Sequence, residues 1–160
     1  MEPCALCDGL VATRAGGDVN AVAELPTGIV RLAPAQYFRG ATFFVANLCV
    51  RELHHLPADE LAEHCLDLAA VCAAVERTFE PRKLNVESLG NGVPHLHWWI
   101  TPRYDDDARP RGPIWEDLEF LRALWTEGSR AEPDERDRRR ADFVTQLNAG
   151  VRPVVRSFTR

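Results

Sequence analysis

Residues 94–104 read Pro-His-Leu-His-Trp-Trp-Ile-Thr-Pro-Arg-Tyr, and no other stretch of the chain narrows the fold as far. Two histidines stand two residues apart in an apolar run that ends at a proline. In extended backbone, successive side chains point to opposite faces. His95, His97 and Trp99 therefore share one face, and Leu96, Trp98 and Ile100 share the other, where they can pack on a core. Two imidazoles on one strand face can divide the work. One can be fixed by a metal or a hydrogen bond while the other attacks phosphorus or carries a proton.

The surrounding text supplies partners for that strand. Residues 21–25 and 29–32 flank Pro26-Thr27-Gly28, which has turn chemistry, so a hairpin is expected. Residues 41–46 are a third strand candidate, and residues 8–20 read as a loop or short helix. Pro57 and Asp59 introduce a helix running to about Phe79. Its apolar positions Leu61, Cys65, Leu68, Cys72, Val75 and Phe79 predict one buried stripe, and Glu80-Pro81-Arg82 ends it. His64 lies off that stripe and is expected in solvent. Residues 83–89 and 95–101 are two more strands, joined by Gly90-Asn91-Gly92. Asp105-Asp106-Asp107 and the Pro/Arg-rich segment to Pro113 read as a surface arm. Helices are expected over 114–125 and 133–149, and residues 151–160 as a tail or edge strand.

A length of 160 residues suits one domain. With 19 basic and 24 acidic residues the formal charge is −5, which gives no electrostatic case for binding a nucleic acid polymer. A small nucleotide needs only local donors. There is no run of 18 apolar residues, so no membrane span is expected. Met1-Glu2-Pro3-Cys4 lacks the pattern of a secretory signal. A cytoplasmic location is the expectation, with five cysteines reduced, buried or metal-bound. Cys65 and Cys72, ~10 Å apart along a helix, are beyond disulfide reach and read as small core residues. Cys4-x-x-Cys7 is the spacing by which one short turn offers two thiolates to zinc, and a closed site needs two further ligands.

Cys4-Ala5-Leu6-Cys7, Leu56-Pro57, Leu89-Gly90-Asn91 and residues 93–104 together resemble the histidine triad (HIT) family, in particular its short bacterial zinc-binding branch. The resemblance runs from Cys4 to about Trp115. It implies an α+β fold: an antiparallel sheet of about five strands with one long helix, plus C-terminal helices. Residues 1–115 would be the HIT-like domain, and residues 116–160 a helical extension packed on it. It implies a homodimer as well. His97 matches the middle histidine of the signature, which attacks the α-phosphate of a nucleotide. The resulting nucleotidyl-histidine is hydrolysed or passed to an acceptor. Such an imidazole must be neutral, its far nitrogen held by a backbone carbonyl. Asn91 stands near the place of a family amide that contacts phosphate or ribose; a plain turn asparagine is the equal alternative. In zinc-bearing relatives the ligand set is completed after the third strand and at the first signature histidine. Here that implies structural zinc on Cys4, Cys7, Cys49 and His95, with His54 and His55 as fallback ligands.

The chain departs from the family pattern at two places. Trp99 stands where the third histidine belongs, and indole donates one hydrogen bond but cannot titrate; it could stack on a base. Ala33 stands where an Asn or Asp often holds the ribose hydroxyls. Arg103 either contacts phosphate or pairs with Asp105–Asp107. Three functions are therefore carried forward: a hydrolase or nucleotidyltransferase working through His97, a nucleotide-binding pseudoenzyme that keeps zinc and fold, and a zinc-stabilised interaction protein using residues 115–125.

Overall fold

The alternating runs pair into one antiparallel sheet. The computed structural model describes residues 4–123 and 131–158. In chain order these form α1 (Ala5–Arg14), β1 (Ala21–Leu25), β2 (Gly28–Leu32), β3 (Thr42–Ala46), α2 (Ala58–Phe79), β4 (Lys83–Glu87), β5 (His97–Arg103), α3 (Leu118–Ala123), α4 (Pro133–Asn148) and β6 (Arg156–Ser157). Single 3-10 turns sit at Leu53–His55 and Ile114–Glu116. The strands lie in the order β4-β5-β3-β2-β1-β6, every neighbouring pair antiparallel. The sheet has six strands because the tail adds a two-residue edge at β1. Trp125 and the rest of the expected 114–125 helix beyond Ala123 lie outside the described residues.

Local chemistry explains the turns. Pro26 and Thr27 close the β1–β2 hairpin, with Leu25 opposite Gly28. A Cβ at Gly28 would stand 2.5 Å from both the Phe44 ring and the Val45 carbonyl, so only glycine lets the hairpin lie flat on β3. Gly40 has φ 84° and abuts the Phe79 ring, where a Cβ would be 2.5 Å away. α2 carries Asp59 and Glu60 in its first turn, favourable at the positive end of the helix dipole. It ends at Glu80 in the left-handed region, just before Pro81.

The two faces of the sheet are covered differently. Val22, Val30, Phe44 and Ile100 meet Val71, Val75, Phe143 and Leu147 in the main core, so α2 and α4 share one side and the C-terminal helix is part of that core. Each such fully buried side chain contributes roughly 1.5–3 kcal/mol. On the opposite face α1 lays Leu6 and Leu10 on Ile29, Val45 and Phe43. Beside it, Ile114 and Phe38 pack with Ala33, Phe43 and Trp99. No described helix is long and apolar enough to cross a membrane.

Two expectations for α2 are corrected. Its buried residues are His64, Asp67, Val71, Ala74, Val75 and Phe79, a stripe rotated by about one residue from the expected one. Cys65 is exposed and Cys72 only half-buried. His64 is not in solvent; it is 1% exposed and stacked on Phe44. The reason is a buried polar chain. The Trp98 indole N–H donates to His64 Nε2 at 2.9 Å. His64 Nδ1 faces the Thr27 hydroxyl at 3.1 Å, and that hydroxyl donates to Asp67 at 2.8 Å. Asp67 also accepts from the Arg152 guanidinium at 2.6 Å. With an indole donor on Nε2 and a spent hydroxyl on Nδ1, His64 is the neutral Nδ1–H tautomer.

Burial holds the His64 pKa below its ordinary 6.5, against the opposing pull of Asp67. The unfolded chain then takes up a proton that the folded chain refuses, so stability is lost as pH falls below about 6.5. Urea midpoints of the natural chain and His64→Gln, compared between about pH 7.5 and 5.5, should diverge by up to ~1.4 kcal/mol per pH unit, the natural chain losing more. Parallel losses would refute the assignment. Protonation of other sites is common to both chains and cancels.

Candidate metal cluster and the adjacent histidine

His95 lies just before β5 rather than inside it, and it is fully buried. Two backbone bonds stitch its neighbourhood to the loop after β3: Ala46 N–H donates to Leu96 O at 3.1 Å, and Leu96 N–H to Val50 O at 2.7 Å. This pairing sets Cys49 beside His95. α1 brings the other two sulfurs, since Cys4 is its N-cap residue and Cys7 lies in its first turn. Ligand atoms of Cys4, Cys7, Cys49 and His95 lie within 4.8 Å of one another.

The ring of His95 is oriented for ligation. Nε2 donates to the Ala46 carbonyl at 2.8 Å, which leaves the Nδ1 lone pair facing Cys4 Sγ at 3.4 Å and Cys7 Sγ at 3.5 Å. A carbonyl on the far nitrogen is the usual second support of a metal-bound imidazole. Burial pushes the Cys4 thiol up, but hydrogen bonds from the Cys7 and Leu6 backbone and the Cys7 thiol outweigh it and bring it down to about 6. Burial, with the Cys49 and Cys4 sulfurs, pushes Cys7 up to about 12. Three crowded sulfurs thus resist joint ionisation unless a cation joins them. Three thiolates and one imidazole fit a closed tetrahedral zinc site. His54 and His55 face each other in the 3-10 turn at a ring separation of 4.4 Å and take no part in the cluster.

His97 opens β5. Its Nδ1 donates to the carbonyl of His95 at 2.7 Å, so the proton sits there and Nε2 keeps its lone pair. The side chain is half-buried on the α1 face of the sheet, opposite Val45. Trp99 follows on the same face, its ring edge-on to Phe43 with centroids 4.5 Å apart. Ala33 is buried beneath Ile114 and Phe38. Asn91 is exposed in the loop between β4 and β5.

Arg103 is not kept as a substrate contact. It is 2% exposed, and its donors are engaged by Asp107 at 2.8 Å, Asn85 at 3.2 Å, the Gly112 carbonyl at 2.9 Å and the Arg109 carbonyl at 2.5 Å. It also lies over the Phe38 ring. It fastens the 105–113 arm to the sheet.

One residue of this face was missed in the sequence. Glu87 stands directly across from Trp99 in the β4–β5 ladder. Its Oε2 is buried with no hydrogen-bond partner among the described residues, and burial raises the carboxyl pKa, opposed by Arg103. Strand alternation in residues 83–89 places Lys83, Asn85 and Glu87 on one face. Which face of β5 they join depends on a pairing register that the sequence does not display.

Residues 42–106 match the family model described as HIT domain. No curated protein matches the chain's sequence. Among solved structures, a histidine triad protein from Marinobacter aquaeolei superposes with a TM-score of 0.68 at 20% identity, covering 91% of this chain and 97% of that one. A histidine triad (HIT) protein from Sinorhizobium meliloti gives 0.65 at 18% identity over 86% and 93% of the two chains. A Zn-bound histidine triad family protein from Mycobacterium smegmatis gives 0.62 at 16% identity over 91% and 94%.

Proposed function

We propose, from the premise that this chain carries a HIT domain over residues 42–106, that it cleaves or transfers a nucleoside monophosphate group through a covalent bond between His97 and the α-phosphorus. The observation that supports the reading most is the 2.7 Å bond from His97 Nδ1 to the His95 carbonyl. It fixes the neutral tautomer, points Nε2 away from the strand, and stabilises the cation that forms when Nε2 bonds to phosphorus. Asn91 would donate its amide to phosphate oxygens, and Trp99 would stack against the base or the leaving group. Zinc on Cys4, Cys7, Cys49 and His95 would be structural, because four protein ligands leave no position for substrate. The likeness to a Zn-bound relative and the donor set support that ion. A homodimer in the cytoplasm, with nucleotides as ligands and no nucleic acid polymer or membrane partner, completes the proposal.

The test is to quench the protein during incubation with dinucleoside polyphosphates, nucleoside phosphoramidates and nucleotide sugars, and to weigh the intact chain. A nucleotidyl adduct is expected on the natural chain and on no His97→Ala chain. Turnover without an adduct, or an adduct in His97→Ala, would overturn the reading. Trp99 packed on Phe43 favours a second reading, a nucleotide-binding pseudoenzyme. Binding without turnover in the natural chain, with turnover gained in Trp99→His, would establish it.

A further inference from the structure

The third signature position here is an indole, which cannot give up a proton to a leaving group. The neighbouring strand offers a group that can. Glu87 is paired with Trp99 across the β4–β5 ladder, so its side chain leaves the sheet on the face that carries His97. His97 is one diagonal step away, a separation typically of about 7–8 Å and somewhat less between Cβ atoms, which a glutamate side chain and a bound phosphate together span. Oε2 of Glu87 is buried and has no hydrogen-bond partner among the described residues. Burying a carboxylate oxygen without a partner is costly, so the arrangement favours a protonated carboxyl or one that awaits a donor from a ligand. The charged groups on this face of β4 and β5 are Arg103, already paired with Asp107 at 2.8 Å, and Lys83 at the far end of β4; Arg31 and Glu24 share the face further off, on β2 and β1. Burial accordingly prevails over Arg103 in setting the direction of its pKa, which is upward.

We infer that Glu87 is a catalytic residue, the general acid that protonates the leaving group during attack by His97 and the general base that activates water afterwards. The inference rests on the proposed nucleotidyl-His97 chemistry. In the first step the Nε2 lone pair of His97 bonds to the α-phosphorus. The bond from phosphorus to the leaving oxygen breaks, and that oxygen takes the Glu87 proton. In the second step water oxygen bonds to phosphorus and the P–N electron pair returns to Nε2, while the Glu87 carboxylate takes the proton of the water. The acid role left open by Trp99 is thereby moved one strand across the sheet.

Dependence on leaving-group acidity tests this. The substrates are aryl esters of adenosine 5′-monophosphate, from p-nitrophenyl, which departs without a proton, to unsubstituted phenyl, which needs one. Glu87→Gln keeps the shape and removes the acid. It is expected to lower the single-turnover rate of phenol release about 100-fold on the phenyl ester and less than about threefold on the p-nitrophenyl ester, so that this first-step rate falls steeply with leaving-group basicity in the variant and shallowly in the natural chain. The p-nitrophenyl ester also reports that the variant is folded. Equal losses on both esters, or none on either, would overturn the assignment to Glu87. If His97→Ala retains turnover, or if the natural chain cleaves none of the esters, the nucleotidyl-histidine reading itself falls.

Discussion

A chelator is expected to lower the melting temperature of the purified protein by ~10 °C or more, with zinc restoring it. Structural zinc sites in small domains contribute ~10–16 kcal/mol of apparent folding energy. Here the main core between the sheet, α2 and α4 includes none of the four ligands, so only part of that coupling is at stake. The part that depends on the metal is α1. It is held to the sheet by Leu6 and Leu10 on Ile29 and Val45, by Arg14 on Glu24 and Asn47 at its C-terminal end, and by the cluster at its N-terminal end. Without a cation, burial and then the neighbouring Cys49 and Cys4 sulfurs push the Cys7 thiol up to about 12. At roughly 2–4 °C per kcal/mol for a chain of this size, ~4 kcal/mol of lost coupling gives the expected shift. About one metal ion per chain should be found in protein prepared without chelator, and Cys7→Ser should resemble the stripped form. A melting temperature indifferent to chelator, or a sub-stoichiometric metal content, would refute the closed site.

Asp67→Ala should destabilise by about 3–5 kcal/mol, the cost of removing one partner of a buried ion pair. Asp67 is 0% exposed and accepts three bonds: the Thr27 amide at 3.0 Å, the Thr27 hydroxyl at 2.8 Å and Arg152 Nε at 2.6 Å. Alanine leaves the Thr27 amide without its acceptor inside the hairpin turn and returns Arg152 to Glu63 alone. The hydroxyl that holds His64 loses its anchor too, and with it the indole of Trp98. Asp67→Asn keeps one acceptor oxygen and should recover part of the loss. Urea unfolding of the three chains measures this directly. A shift below about 1 kcal/mol for alanine would show that the chain of bonds adds little to stability.

How far the sequence discloses this molecule depends on what each residue answers to. The hairpin at Pro26-Thr27, the helix after Pro57 and the strand at the two histidines are local patterns, and they appear within a residue or two of their expected places. The buried face of α2 was misread because hydrophobicity was taken as the mark of burial. His64 and Asp67 are inside because they satisfy each other through Thr27, which lies in a distant hairpin. Cys65, apolar by its chemistry, is outside. The metal cluster was legible in part: the Cys4–Cys7 spacing is local, whereas Cys49 entered only through likeness to a family. Arg103 was ambiguous between phosphate and aspartate until Asp107 and the Gly112 and Arg109 carbonyls were seen to occupy it. Glu87 went unnoticed because nothing local distinguishes a glutamate whose neighbour across the ladder is an indole from one in water.

His95 serves two partners by two different means. Its ring faces the sulfurs, while its carbonyl receives the Nδ1 proton of His97. Every amino acid brings a carbonyl, so the second service survives any replacement that leaves the backbone in place. The alphabet tolerated at this position is therefore written by the metal and by the buried Ala46 carbonyl that Nε2 satisfies, and not by His97. A cysteine or aspartate there could keep the cluster closed and still hold the neighbouring imidazole in register, and a lineage could exchange its ligands without ever passing through a chain in which His97 had lost its orientation.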